Sequence, residues 1–283
     1  MSQSADQENF LASMAAGSAR RVAAARATLA DAEMLAQALA SPVPPRLQLS
    51  ARRFDLIAEV KFRSPAAGRL REGNEEHVLA RVAGYAEAGA AAVSVLTEPS
   101  RFDGSLAHLR TAVRALNGKI PAMRKDFLVD PYQVCEARLA GAGGVLLILR
   151  LLEPAAMASL IECAARLKLF VLLEAFDAAD IARSADLVRQ YTSATPLLVG
   201  LNCRDLATLK VVPGRLEELV RTLPDSVPRV AESGVATAAD AGRMAVAGYD
   251  VALVGSALME ALEPLKLVRA MVSAGRNERA RRS

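Results

Sequence analysis

Beyond about residue 47, short apolar runs rich in β-branched residues alternate with longer segments whose apolar residues recur at helical spacing. Eight such runs stand out: Leu56–Lys61, Ala92–Thr97, Ile120–Arg124, Gly144–Leu149, Phe170–Glu174, Leu197–Asn202, Arg229–Glu232 and Val251–Gly255. Their final residues are spaced by 36, 27, 25, 25, 28, 30 and 23 positions. A strand, a helix and two short loops need about thirty residues, so each interval holds one βα unit. Eight successive units predict an α/β chain folded as a single (β/α)8 TIM barrel. The rival is an open doubly wound sheet, which would carry a GxGxxG turn after its first strand; here that turn reads RSPAAGR. Ahead of the barrel, residues 9–40 predict an amphipathic helix or a helical pair. It is stopped by Ser41-Pro42-Val43-Pro44-Pro45, where a helix cannot continue. The expected organisation is a helical extension over residues 1–46, a barrel over 47–272 and a basic, disordered tail over 273–283.

Composition narrows the class. With 283 residues, 52% hydrophobic and 23% charged, the chain can bury a sizeable core and is not disordered. The net charge of +4 is local, since Arg276, Arg279, Arg281 and Arg282 crowd the last eight residues. Aromatic residues are only 4%, and no basic helix is interleaved with stacking side chains, so a solvated basic tail is expected in place of a nucleic-acid surface. Three cysteines, Cys135, Cys163 and Cys203, show no CxxC spacing, and there are two histidines, His77 and His108. That argues against a disulfide framework and a zinc site, and fits a reducing cytoplasm. Neither a signal peptide nor a membrane-spanning run is evident.

In a (β/α)8 barrel the chemistry collects at the carboxyl ends of the strands. On the first strand Glu59 and Lys61 are two residues apart, so both side chains project from one face. Taken alone, the pair also admits the blander reading of a structural ion pair at a strand end. The later ends supply Thr97-Glu98, Arg124-Lys125-Asp126, an apolar fourth end, Glu174, Asn202 with Arg204, Glu232-Ser233 and Gly255-Ser256. The seventh and eighth ends are small-residue turns, and Gly/Ser turns before helical segments offer backbone N–H groups to phosphate. Their coincidence with the positions where barrels often hold phosphate predicts a phosphorylated small-molecule substrate.

These segments resemble the indole-3-glycerol phosphate synthases from about Leu56 to Met259 and in the helical extension. The resemblance rests on IAEVKFRSP, AVSVLTEPSRFDGSLAHL, PAMRKDF followed by VDPYQVCEARLAGA, LLEAF, GLNCRDLATL, VAESGV and ALVGSALM. It implies decarboxylating, dehydrating ring closure of 1-(2-carboxyphenylamino)-1-deoxyribulose 5-phosphate, on the route to tryptophan, with no metal or organic cofactor. Lys125 then matches the general acid and Glu174 the general base. Glu59, Lys61, Ser64, Asn202 and Arg204 match residues that bind or orient the substrate, with Glu232 a supporting carboxylate. Ser233, Gly234, Gly255 and Ser256 match the phosphate site, and Phe102, Phe127, Leu146, Leu206 and Leu209 the apolar wall around the anthranilate ring. The implied state is a cytoplasmic monomer or weak oligomer with no nucleic-acid or membrane partner.

The chain departs from the family at three places: Ala66 for a second serine, Phe176 for a common histidine and Arg63 for a frequent lysine. Phe176 is read as packing behind the site, and Cys203 as a small filler. Related isomerases would carry Cys or Asp on the first strand and Asp on the sixth, where this chain has Glu59/Lys61 and Asn202. The remaining alternatives are the same chemistry on a substituted anthranilate and a non-catalytic phosphate-binding barrel. For the latter the Lys125 and Glu174 pair would be superfluous.

Overall fold

A computed structural model describes residues 2–51, 54–61, 63, 64, 68, 69, 75–206, 208 and 210–281. Eight parallel strands close into a barrel: β1 (Asp55–Val60), β4 (Ala92–Leu96), β5 (Ala122–Lys125), β6 (Gly144–Ile148), β7 (Phe170–Ala175), β8 (Leu197–Asn202), β9 (Arg229–Glu232) and β10 (Val251–Val254), with β1 pairing both β4 and β10. Two short strands, β2 (Arg63–Ser64) and β3 (Gly68–Arg69), pair antiparallel within the loop after β1. The expected (β/α)8 barrel is therefore the observed architecture. Its strands begin or end within two residues of the predicted runs.

The outer ring is built from α3 (Glu75–Glu87), α5 (Leu106–Leu116), α6 (Pro131–Leu139), α7 (Pro154–Arg166), α8 (Ala178–Tyr191), α10 (Ala238–Ala247) and α12 (Pro264–Ala280), with single-turn helices α4 (Pro99–Phe102), α9 (Arg215–Leu219) and α11 (Ser256–Glu260) in the loops. Helix starts are written in the sequence: Ser105, Asp130, Asp177 and Thr237 each accept a first-turn backbone N–H through the side chain. Along every barrel strand alternate residues face opposite ways. Leu56, Ala58 and Val60 of β1 pack outward against the helices, whereas Ile57 joins Met123, Leu146, Leu172, Leu198 and Val230 in a separate cluster filling the lumen.

The extension folds as α1 (Ser2–Thr28) and α2 (Asp31–Ala40), a helical pair that ends just before the proline cluster. It is tied to α6 by polar contacts: Gln133 Nε2 donates to the fully buried Ser18 Oγ at 2.7 Å, Arg26 reaches Asp130 at 2.7 Å and Tyr132 OH donates to Leu29 O at 2.9 Å. Leu11 and Met14 are buried in the lumenal cluster, which places α1 across the end of the barrel.

The expectation of a disordered basic tail from residue 273 is corrected. Helix α12 runs on to Ala280, and its arginines face the amino-terminal ends of the strands. Arg276 Nη2 lies 2.6 Å from Asp55 Oδ1 and its Nε donates to Phe54 O; Arg279 Nη2 lies 2.8 Å from Asp250 Oδ1. Local composition hid this because the acidic partners are distant in sequence. Among the described residues no helix is long and apolar enough to cross a membrane.

Candidate active site

Four alternate strands aim a charged side chain into the lumen at the carboxyl end: Glu59 from β1, Lys125 from β5, Glu174 from β7 and Glu232 from β9. In a (β/α)8 barrel, side chains from alternate strands form one layer, and here that layer is the polar floor of a cavity of about 330 Å³. Glycine on β8 and just past the end of β10 makes room for the layer. A Cβ on Gly200 would lie 2.1 Å from Glu232 Oε1, and one on Gly255 would lie 2.2 Å from Glu59 Oε1.

Lys125 is the hub. Its Nζ donates to Glu174 Oε1 at 3.0 Å and to Glu232 Oε2 at 3.1 Å. Asn202 Nδ2 also donates to Glu174 Oε1, at 2.9 Å. The amide is oriented through Asn202 Oδ1, which accepts from the Arg204 backbone N–H at 3.0 Å and from Ser233 Oγ at 2.9 Å. Ser233 has φ 65, a left-handed conformation unusual outside glycine, and Gly234 follows at φ 74. Lys61 forms a separate ion pair with Glu59, 2.8 Å from Nζ to Oε1.

Burial and neighbouring charge divide the carboxylates by protonation. Burial pushes Glu59 up, but the positive charges of Lys61, Lys125 and Arg204 outweigh it and hold the group below the usual glutamate range. Glu232 goes the other way: burial raises it, and the attraction of Lys125 is opposed by the charge of Glu174, leaving it well above that range. Its Oε1 meets no donor among the described residues, and a proton shared with the Glu174 carboxyl favours its neutral form. Burial lowers Lys125, yet Glu174, Glu232 and Glu59 together raise it above an ordinary lysine, so its ammonium form is favoured.

Phe102, Phe127 and Leu146 line the cavity from the ends of β4, β5 and β6, and Ser233, Gly234, Gly255, Ser256 and Arg204 line it from the ends of β8, β9 and β10 across the barrel, where Leu206 adds an apolar contact. Leu209 and Ala66 lie outside the described residues, as does the side chain of Ser64. Gly255 leads directly into α11, whereas two residues separate Gly234 from the cap of α10, so only the eighth turn opens straight into a helix.

Three expectations change. Phe176 is not behind the site: it lines the cavity, held there by its backbone N–H to Asp180 Oδ2 and by the Arg150 guanidinium 5.0 Å over its ring. Thr97, Glu98 and Arg124 leave the rim. Glu98 caps α4, while Arg124, pointing away from the lumen beside inward Lys125, binds Thr97, Asp126, Glu136 and the Gln133 carbonyl. Phe10 of α1 was not anticipated at all; it lines the cavity and meets Phe127 edge-on at 6.0 Å between ring centroids. Cys203 packs beneath Gly234, where a Cβ would lie 3.1 Å from its Sγ. Among the described residues no group of three or more His, Cys, Asp or Glu side chains is placed to hold a metal ion.

A family model described as indole-3-glycerol phosphate synthase matches residues 11–271. The chain belongs to the indole-3-glycerol phosphate synthase family. A synthase of that name from Leifsonia xyli subsp. xyli is 42% identical over 254 residues, covering 89% of this chain and 94% of the relative. The one from Rhodococcus jostii is 40% identical over 258 residues, covering 90% and 91%. Solved structures add the barrel alone. The 3-hexulose-6-phosphate synthase of Salmonella typhimurium superposes with a TM-score of 0.62 at 15% identity, over 79% of this chain and 99% of that one. Thiamine phosphate pyrophosphorylase from Pyrococcus furiosus gives 0.55 at 16% identity, over 81% and 99%.

Proposed function

We propose that the cavity is the active site of an indole-3-glycerol phosphate synthase, a decarboxylating lyase of tryptophan biosynthesis, and that Lys125 is its principal proton donor. The observation that carries this reading is the Lys125 ammonium held between Glu174 and Glu232, with an aromatic wall on one side and Ser/Gly turns on the other. The substrate phosphate is assigned to Ser233, Gly234, Gly255 and Ser256, and the anthranilate ring to Phe102, Phe127, Leu146 and Leu206.

The stoichiometry fixes what the site must do. The substrate carboxylate plus one proton gives indole-3-glycerol phosphate, carbon dioxide and water. As the carboxyl-bearing ring carbon attacks the ketone, the carbonyl oxygen gains negative charge and takes a proton; loss of carbon dioxide returns the bonding pair to the ring. Dehydration then protonates the departing hydroxyl and removes one proton from the neighbouring CH2 carbon. Two protons are delivered to oxygen and one is withdrawn from carbon. A lysine kept in its ammonium form suits delivery, and a carboxylate with one oxygen already hydrogen-bonded suits withdrawal. Glu174 is assigned as that base, held in place by Asn202. Lys61, paired with Glu59, is a second cation for the developing oxyanion.

The purified chain, given the carboxyphenylamino-deoxyribulose phosphate, is expected to release indole-3-glycerol phosphate. Absence of turnover from correctly folded protein would overturn the assignment. Lys125→Ala is expected to lower kcat by at least about 10²-fold, the lower bound for losing one acid–base group. A fully active variant would remove Lys125 from its role while leaving the family reaction intact.

A further inference from the structure

Two of the three cysteines, separated by a whole βα unit in sequence, meet on the outside of the barrel. Cys135 of α6 and Cys163 of α7 place their Sγ atoms 3.8 Å apart, and Cys163 Sγ also lies 3.6 Å from the Pro131 carbonyl at the start of α6. Cys135 is buried and Cys163 is partly exposed, so the pair sits at the edge of the helix interface. Cys203, buried at the end of β8, has no such partner.

We propose that Cys135 and Cys163 form a peroxide-responsive dithiol that closes reversibly into a disulfide stapling α6 to α7. This does not depend on the reaction assigned to the cavity. Two thiols in contact would also serve as apolar filler; two further features distinguish this pair. One sulfur is within reach of solvent while the other is sheltered. The two thiols are also unequal in acidity. The hydrogen bond from Cys163 favours the Cys135 thiolate more than burial opposes it, with the Arg166 charge adding to the effect, whereas the same contact and burial drive Cys163 up. Of the two, Cys135 is therefore the more readily ionised, and the contact between the sulfurs puts a second thiol within reach of whichever one is oxidised.

Peroxide enters at the exposed edge of the pair, where one sulfur, as thiolate, breaks the O–O bond to give a sulfenic acid and hydroxide; the neighbouring thiol then condenses with it, forming the S–S bond and releasing water. Two thiols are oxidised by two electrons and one peroxide is reduced. A disulfide sulfur pair is about 2.05 Å apart, so the sulfurs must approach by about 1.8 Å, a shift available to side-chain rotation and a small helix adjustment. The staple would bear on α6, whose cap Asp130 and first-turn Tyr132 and Gln133 are contacts of the amino-terminal extension.

The test uses the full chain, treated with hydrogen peroxide in its folded state, alkylated to trap remaining thiols and digested with trypsin without reductant. The expected product is one linked pair of peptides, residues 126–138 with residues 151–166, while the Cys203 peptide, residues 190–204, stays alkylated. Dithiothreitol should dissolve the link. The oxidised protein should melt about 3–7 °C higher than the reduced protein, the shift that a cross-link of ordinary strength gives in a chain of this size. Cys163→Ser should abolish both the linked peptide and the shift in melting temperature. The proposal is overturned if both cysteines remain alkylated after peroxide, if they are oxidised separately to sulfinic acids, or if cross-links form between molecules or involve Cys203 equally.

Discussion

Glu174 and Glu232 illustrate how two carboxyls contacted by the same ammonium can differ in kind. Glu174 Oε1 is engaged by Lys125 and Asn202, whereas Glu232 carries one oxygen on Lys125 and one that meets no donor among the described residues. A glutamine reproduces a neutral glutamic acid in shape and differs from a carboxylate in charge. Glu232→Gln is therefore expected to stay within about tenfold of the parent kcat, while Glu174→Gln falls by about 10²-fold or more, as for loss of a general base. Steady-state kinetics on both variants check the contrast, and equal losses would mean that Glu232 works as an anion. The sign of the pH effect follows from its raised value. Glu232 stabilises the folded chain below the ordinary glutamate range, and that contribution is lost as pH rises towards its own higher value. Glu232→Gln should flatten this part of a pH-dependent melting curve. For Glu59, held low, the contribution is present above the usual glutamate range and lost as pH falls.

Strands positioned the site, and strands were also what the sequence made legible. Short apolar runs and their even spacing located the strand ends, and with them Glu59, Lys125, Glu174, Asn202 and Glu232. Alternation alone could not separate lumenal Lys125 from outward Arg124, because register within a barrel depends on pairing with both neighbours. Phe10 and Phe176 stayed hidden for a different reason: an aromatic side chain at a helix or strand end gives no local sign of whether it faces a core or a cavity. The glycines of the strands were equally silent, yet Gly200 on β8 sets the space for Glu232. In Gly200→Ala, the added methyl would meet the carboxyl oxygen at 2.1 Å and Leu172 at 3.2 Å, so the side chain on β9 must move. A loss of about 1–3 kcal/mol in stability is expected from overpacking, with kcat lowered more than KM raised. Chemical denaturation together with kinetics would separate the two effects. Unchanged kinetics would show that Glu232 can shift without consequence.

At the scale of the whole molecule, the last helix of the outer ring braces the amino-terminal ends of the strands. Beyond Val272, α12 supplies Gly275 against the Phe54 ring, Arg276 on the buried Asp55 carboxylate and Arg279 on Asp250. Gly275 leaves no room for a side chain, since a Cβ would lie 2.0 Å from that ring. Reading the arginines as a solvated tail predicts that a chain ending at Val272 keeps its stability. The structure predicts the opposite. Asp55 would keep the Ser50 backbone N–H but lose its cation, and because Arg276 is partly exposed the cost is about 2–3 kcal/mol, below the 3–5 of a fully buried pair. That corresponds to a fall of about 3–5 °C in Tm for a chain of this size, before loss of the Arg279 contact and the Phe54 packing is added. Arg276→Ala in the full chain should give the first part alone, and high salt should weaken the parent only slightly because Asp55 is screened from solvent. A truncated chain that melted with the parent would return these residues to the surface role that their composition suggests.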